Sequence, residues 1–510
     1  MHVHPAVSIA VTSAALLLGL AVTAAGQSDA GDPLTGPGDG PWRRLFLDAT
    51  VMEAHSGLER VFHAAEKYQG NPLIVGDRPW EQVWRYPGPE LHGTVLRDGD
   101  RLRMWYRCYS PQSTTCYAES TDGIAWTKPD LDICSWGDHR LTNIVDLGQV
   151  HFPLVFHRPW LKDPSRRYIL FCMQLHRGRK HGAAYSPDGL HWTFAPQTAE
   201  TPLFSGGDAT NYGWDPYSAR YFGMRKTASY GLGGRSESGR GRAVGIAWSD
   251  PGDELRWTVP IDVPVLAPDD LDPDATQFYN APAFAYQGMF IAQVWVYHAR
   301  WFKYGVYTDE RMVEAEAGSP CTTDVQLAWS WDLVNWTRTP DRKPFIALGD
   351  SARNDFDCGS IHTARAPVLV GDRLHFYYAG TQGRYLNPRP SAIGLATLRL
   401  DGFCSMHADD REGWLITRRE PMLGPEVMIN ASTAGDGYVI AELLDRDGNV
   451  LPGFSREECV PFTGDSARHT LRWQSASLDE VQRTGDQKLR FFLRNADLYS
   501  YLPTQLGPGG

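Results

Sequence analysis

The stretch YAESTDGIAW, Tyr117 to Trp126, decides the fold, because its pattern returns three more times along the chain. The further copies are YSPDGLHW (Tyr185 to Trp192), IAWSDPGDELRW (Ile246 to Trp257) and LAWSWDLVNW (Leu327 to Trp336). A degenerate fifth, LATLRLDGF (Leu395 to Phe403), puts Phe403 where the Trp would stand. Each copy is an apolar-aromatic strand, then Ser, a turn Asp and a Trp. Ser and Asp tie a tight turn through side-chain to backbone hydrogen bonds, Gly supplies the unusual dihedral, and the Trp packs between neighbouring units. A strand pair of matching type precedes each copy: Gly93 to Tyr106, Pro153 to Phe171, Gly213 to Arg225, Ala281 to Trp295 and Ala366 to Tyr378. The repetition predicts five four-stranded blades starting near residues 90, 141, 203, 264 and 344, more widely spaced than WD40 repeats and so carrying long loops. In this reading Asp122, Asp188, Asp250 and Asp332 are turn formers and belong to no site.

Composition agrees. A chain of 510 residues with 50 Gly, 35 Pro, 18 Trp and 22 Tyr reads as a turn-rich all-β protein with ample core. Lys and Arg number 49 against 60 for Asp and Glu, a formal net charge of −11, which repels nucleic acid and anionic membranes. After Phe403 the blade phrase stops. Short alternating strands follow from Gly413 to Leu502, among them Tyr438 to Leu444, His469 to Trp473 and Lys488 to Arg494, with Asp445 to Gly448 as a hairpin turn. These predict a β-sandwich over 404–510 behind a propeller over 42–403.

Residues 6 to 26 are one apolar run leading to small residues at Thr23 to Gly26, the form of a signal peptide spanning 1–26. The basic n-region is weak and the run is nearly long enough to span a bilayer, so an uncleaved anchor is the alternative; the membrane would be a partner only in that case. Residues 27–41 (QSDAGDPLTGPGDGP) read as a linker. The expected localisation is secreted or periplasmic. Eight cysteines contain no CxxC pair, which argues against a zinc ribbon or a redox motif. Cys108 and Cys116 flank CYSPQSTTC and either bridge in an oxidising compartment or serve as small buried hydrophobes.

A repeat of this kind with a C-terminal β-sandwich resembles the arabinanase, invertase and levansucrase superfamily of glycoside hydrolases, families 32 and 43 and their relatives. The entry segment Arg44 to Glu81, the phrase RMWYR (Arg103 to Arg107) and the tail LYSYLP (Leu498 to Pro503) look like bacterial glycosyl hydrolases of that group. The resemblance implies an exported enzyme that cleaves O-glycosyl bonds of a polysaccharide or oligosaccharide with two carboxyl groups at the funnel where the inner strands begin. Those families place Asp, Asp and Glu at the first three strand starts, whereas this chain has His92, His151 and Asn211 nearest those positions. The carboxylates must therefore come from flanking positions, and Glu81, Asp208 and Asp357 are the candidates. Glu81 follows Trp80, a possible sugar platform; Asp208 lies in GGDATN, where glycine permits close approach; Asp357 lies in DFDCGS before the fifth inner strand. Each also fits a turn or capping role.

Trp80, Tyr279, Asn280, Asn211, His92, His151, His362, Arg225 and Arg365 complete the expected substrate-binding set, the arginines suiting hydroxyls, a uronate or a sulfate. His92, His151 and His362 would converge on the axis, where three imidazoles could hold a transition metal; hydrogen bonding to sugar or to strands is the simpler role. No cofactor is expected, and no motif specifies a structural calcium. No obligate protein partner is implied. The alternative function is a non-catalytic carbohydrate-binding propeller, in keeping with the missing triad. A sialidase-like six-bladed propeller would need a sixth repeat and an arginine cluster, and neither is found.

Overall fold

The computed structural model describes residues 34–36, 40–82, 87–109, 113–230, 240–273, 276–298, 321–382, 390–420, 426–478, 481 and 486–503. The expected signal segment and most of the linker lie outside them. The described chain is nearly all β, and its strands fall into groups in chain order. Group one is Glu90–Asp98, Arg101–Tyr109 and Ser113–Ser120. Group two is Val150–His157, Tyr168–Gln174, Lys180–Ser186 and Thr193–Phe194. Group three is Thr210–Asp215, Arg220–Tyr230, Arg240–Asp250 and Asp253–Thr258. In group four Thr276–Asn280 and Ala283–Tyr286 share the neighbour Met289–His298, followed by Thr322–Ser330 and Trp336–Arg338. Group five is Ser360–Thr363 and Val368–Val370 on Arg373–Thr381, then Ser391–Arg399. Groups four and five meet through one parallel pair, Thr323 with Ser360.

Glu90–Asp98 packs on Val150–His157, that strand on Thr210–Asp215 and that on Ala283–Tyr286; group four then meets Ser360–Thr363 through Met289–His298 and Thr322–Ser330, and the strands of group five pack on Glu90–Asp98, so the series closes on itself. Closure has a second component. Glu66–Lys67 and Ile74–Val75, from ahead of group one, pair with Ser391–Arg399 as the outermost strand of group five. Lys67 Nζ meets Asp357 at 2.6 Å there.

The repeated phrase makes the turn its residues predict. In the first copy Gly123 N donates to Ser120 Oγ (2.8 Å) and the amides of Ile124 and Ala125 donate to Asp122 (2.8 Å each). The second copy repeats this around Ser186 and Asp188; in the fourth, the amides of Val334 and Asn335 donate to Asp332 in the same way, while Ser330 Oγ accepts from the Asp332 amide and donates to its carboxylate. Gly123 and Gly189 take φ near +79°, and Leu333 is held at +65° in the same place, so the turn imposes the left-handed conformation even where glycine is lacking. The third copy differs: Asp253 accepts from Leu255 N, while Asp250 pairs with Arg256. The aromatic rings of the phrase join groups, as with Trp126 edge-on to Tyr377 at 5.4 Å and Trp257 edge-on to Phe171.

The C-terminal strands form one eight-stranded sheet built on Met428–Leu444 and Lys488–Leu502, which pair along most of their length. The expected propeller start at residue 42 is the part of the domain division that the strand pairing corrects. Arg44–Leu45, Met52–Ser56 and Glu59–Phe62 pair with Lys488–Leu502, Gly413–Thr417 and Cys404–Ala408, so residues 44–62 belong to the terminal sheet.

Candidate active site

At one end of the closed series, side chains from all five groups lie along one circuit. Glu90 and Arg107 of group one form an ion pair, with Arg107 Nε 3.0 Å from Glu90 Oε2. Arg107 also bonds His151 Nδ1 of group two. His151 lies within electrostatic reach of Asp208, just ahead of group three, and Asp208 pairs with Lys226. The Lys226 ammonium sits 5.3 Å from the centroid of Tyr279 in group four. Tyr279 is 5.5 Å from the ring of His362 in group five, His362 is 4.9 Å from His92, and His92 Nδ1 returns to Glu90 Oε2 at 3.7 Å. The circuit surrounds an aromatic floor. Phe152 stacks on His92 at 4.6 Å, and Trp295 lies 4.8 Å from His362.

Irregular strands aim these groups inward. The pairing shifts register between Glu90 and Thr94, opposite Phe152 at Phe171/Met173, and between Phe278 and Asn280, so three innermost strands are bulged at the level of His92, of His151 with Phe152, and of Tyr279. Phe152 takes φ +54°, a conformation costing a β-region residue about 1 kcal/mol or more. Gly93 lies inside the first bulge, where a Cβ would come within 2.0 Å of the Trp105 carbonyl oxygen.

Electrostatics separates the roles. Burial opposes ionisation of Asp208, but Lys226, His151 and Arg179 outweigh it and hold the carboxyl at about 2. Burial, reinforced by Arg107, pushes His151 and His362 down to about 3 and His92 well below its ordinary range. The three imidazoles are therefore neutral near pH 7. Neither nitrogen of His92 and not Nε2 of His362 meets a hydrogen-bond partner among the described residues, although His92 is only 6 % exposed. Buried polar atoms of this kind are suited to ligand hydroxyls.

Several expected site residues lie elsewhere. Glu81 is fully buried: Oε2 accepts from Lys128 Nζ (2.6 Å) and the amides of Asp77 and Arg78, and Oε1 accepts from the Tyr106 hydroxyl (2.6 Å). It is a brace, out of reach of any sugar. Trp80 is buried beside it and donates to Asn143, so it is no platform. Asp357 is buried between Lys67 and the Tyr378 hydroxyl (2.8 Å) in the closing strands. Asn211 donates to Asn280 (3.0 Å), and Asn280 donates to the Ala209 carbonyl, which makes the pair a strut between groups three and four. Arg225 turns between strands toward the Ile246 and Ile261 carbonyls. Arg365 lies further along the axis against Phe156 at 4.2 Å. Asp208, His92, His151, Tyr279 and His362 are the expected residues brought together.

Glu90, Arg107 and Lys226 were not among the favoured candidates. Strand parity is the signal that could have found them: Lys226 faces the axis because its neighbour Arg225 does not, and Arg107 lies opposite Glu90 in the antiparallel register. His92, His151 and His362 do not form a set of three donor atoms within 4.8 Å of one another among the described residues. Among the described residues the one set of three donors within 4.8 Å of each other is Glu81, Cys108 and Cys116. There the carboxylate is already paired with Lys128, and burial raises the Cys108 thiol well above its ordinary value. Cys108 and Cys116 are unbridged and buried.

No family model matches the chain, and no curated protein matches it. Among solved structures, a glycosyl hydrolase from Bacteroides ovatus is similar at 15% identity over 66% of this chain and 94% of its own, with a TM-score of 0.42. A structure described under the GH130 family of mannoside phosphorylases, which contains glycoside hydrolases targeting β-1,2 mannosidic linkages in Candida mannan, has 15% identity over 66% and 94%, with a TM-score of 0.44. An N-acetylgalactosamine deacetylase from F. plautii has 14% identity over 68% and 97%, with a TM-score of 0.39.

Proposed function

We propose that this protein is an exported glycoside hydrolase, a five-bladed β-propeller with a C-terminal β-sandwich, whose active site is the circuit at the mouth of the axis. The observation that carries the reading is that all five groups contribute to one ring holding two carboxyl groups, neutral imidazoles with unmet hydrogen bonds, and an aromatic floor. The floor suits the apolar face of a sugar ring, and the imidazoles suit its hydroxyls.

Glycosidic hydrolysis needs one carboxyl group to protonate the leaving oxygen and another to activate water or attack carbon. Asp208, held ionised at about 2, takes the second role. Glu90 is the other carboxyl in the ring and takes the first, which requires that it carry a proton when the glycoside is bound; Arg107 fixes its orientation. Arg107 and His151 stand between the two acids. We read that separation as room for a water molecule, and hence as inversion rather than the roughly 5 Å spacing of a retaining pair.

The test is sugar release from plant, algal and bacterial polysaccharides by the mature chain, with Asp208→Asn and Glu90→Gln beside it and the anomer followed by NMR. Loss of release in both folded variants, with an inverted first product, supports the assignment. Retention on an immobilised polysaccharide without any release would turn the reading to a non-catalytic binding propeller.

A further inference from the structure

The charge around Asp208 is unbalanced. Lys226 and Arg179 both pair with it, and among the described residues it is the one carboxylate within ion-pair distance of either. Lys226 is nearly buried, with a side chain 9 % exposed, and is laid over the Tyr279 ring; Arg179 is 60 % exposed and touches Asp208 at 3.4 Å. Arg107, across the ring, is already committed to Glu90. One positive charge in excess therefore faces the mouth beside the aromatic ring of Tyr279.

The backbone points the same way. Arg179 stands at φ +59°, directly after Gly178 at +77° and before the strand Lys180–Ser186. Asparagine or glycine would hold that conformation with less strain. An arginine kept there at conformational cost places a guanidinium on the rim, where its planar donors can take two oxygens of one group. The neighbouring imidazoles are neutral and offer no competing cation.

From this geometry we propose that the sugar seated in the mouth carries an acidic group, a carboxylate or a sulfate, held jointly by Lys226 and Arg179. This rests on reading the mouth as a carbohydrate site and names the class of carbohydrate. The acidic group would add to the cations without displacing Asp208, since four donors of Arg179 and the remaining ammonium hydrogens stay available to it.

The experiment is calorimetric binding with two matched pairs of ligands: trigalacturonate against its methyl ester, and a carrageenan hexasaccharide against its desulfated form. At low ionic strength one acidic member should bind about tenfold more tightly than its neutral partner, an advantage that shrinks several-fold near 0.5 M salt. The pair that responds distinguishes carboxylate from sulfate. Arg179→Asn, which also relieves the backbone, should abolish most of the advantage of the acidic member over its neutral partner. Asp208→Asn should strengthen acidic binding while eliminating sugar release. Equal binding within both pairs, or an advantage untouched by Arg179→Asn, would overturn the proposal and leave the carbohydrate reading standing. Sugar release from neutral polysaccharides with no binding of either acidic ligand would overturn it as well, whereas absence of both binding and release would sink the two readings together.

Discussion

Replacing Glu81 by Gln distinguishes a brace from a catalyst. Glu81 is fully buried and accepts four hydrogen bonds, one from an ammonium whose side chain is 8 % exposed. A glutamine of the same shape keeps one acceptor oxygen, but its NH₂ must face either the two backbone amides and Lys128 or the Tyr106 hydroxyl, all of which donate to the carboxylate. Breaking a buried ion pair from one side costs about 3–5 kcal/mol. Lys128 retains Asp77 at 2.6 Å, which is largely exposed, so the lower end, about 3 kcal/mol, is expected. With a urea m-value of about 3 kcal/mol/M, the midpoint should fall by about 1 M. The measurement is urea unfolding followed by tryptophan fluorescence, with sugar release or ligand affinity read in dilute buffer on the folded variant. The expected result is a lowered midpoint with unchanged activity per folded molecule. An unchanged midpoint with activity lost would refute the reasoning and return Glu81 to the chemistry.

Other outcomes follow from the same contacts. Asp208→Asn and Glu90→Gln should each lower sugar release per folded molecule by about 10²–10⁴-fold, the usual worth of a positioned acid or base, and should also lower the urea midpoint, because each leaves a buried cation, Lys226 or Arg107, without its carboxylate. His92→Phe keeps the stack on Phe152 and loses no protein hydrogen bond, so stability should hold while ligand affinity measured by calorimetry falls. Asn280→Ala removes the strut to Ala209 and Asn211 and should destabilise by about 1–3 kcal/mol in urea unfolding. The acid dependence of stability has a definite sign. His92, His151 and His362 resist protonation when folded, the last two down to about 3, whereas unfolded imidazoles protonate near 6.5. The unfolded chain then binds more protons between those values, so stability should fall as pH drops from about 6.5 toward 3, by up to roughly 1.4 kcal/mol per pH unit for each imidazole. Replacing all three by Phe or Gln should flatten that slope in pH-dependent urea unfolding.

The repeat could be read from the chain because its turn is local. Ser, Asp and Gly lie within three residues of the groups they bond, and the first, second and fourth copies make the same pair of amide bonds to Asp. Strand starts near Glu90 and Val150, and the residues Asp208, Tyr279 and His362, followed from that phase. The three carboxylates were harder. Glu81, Asp208 and Asp357 look alike in sequence, each a loop acid near a strand start, yet two are buried against lysines far along the chain, Lys128 and Lys67, and only Asp208 faces the mouth. What the sequence determined by itself was the all-β character, the repeated turns and the approximate ends of the inner strands, since period, turn chemistry and apolar pattern act over a few residues. What only the tertiary structure decided was which charges meet. Bulges turn Tyr279 and His151 inward, residues 44–62 cross to the terminal sheet, and Glu90 finds Arg107 and Asp208 finds Lys226, because ion pairing and burial depend on distances through space that short-range pattern does not encode.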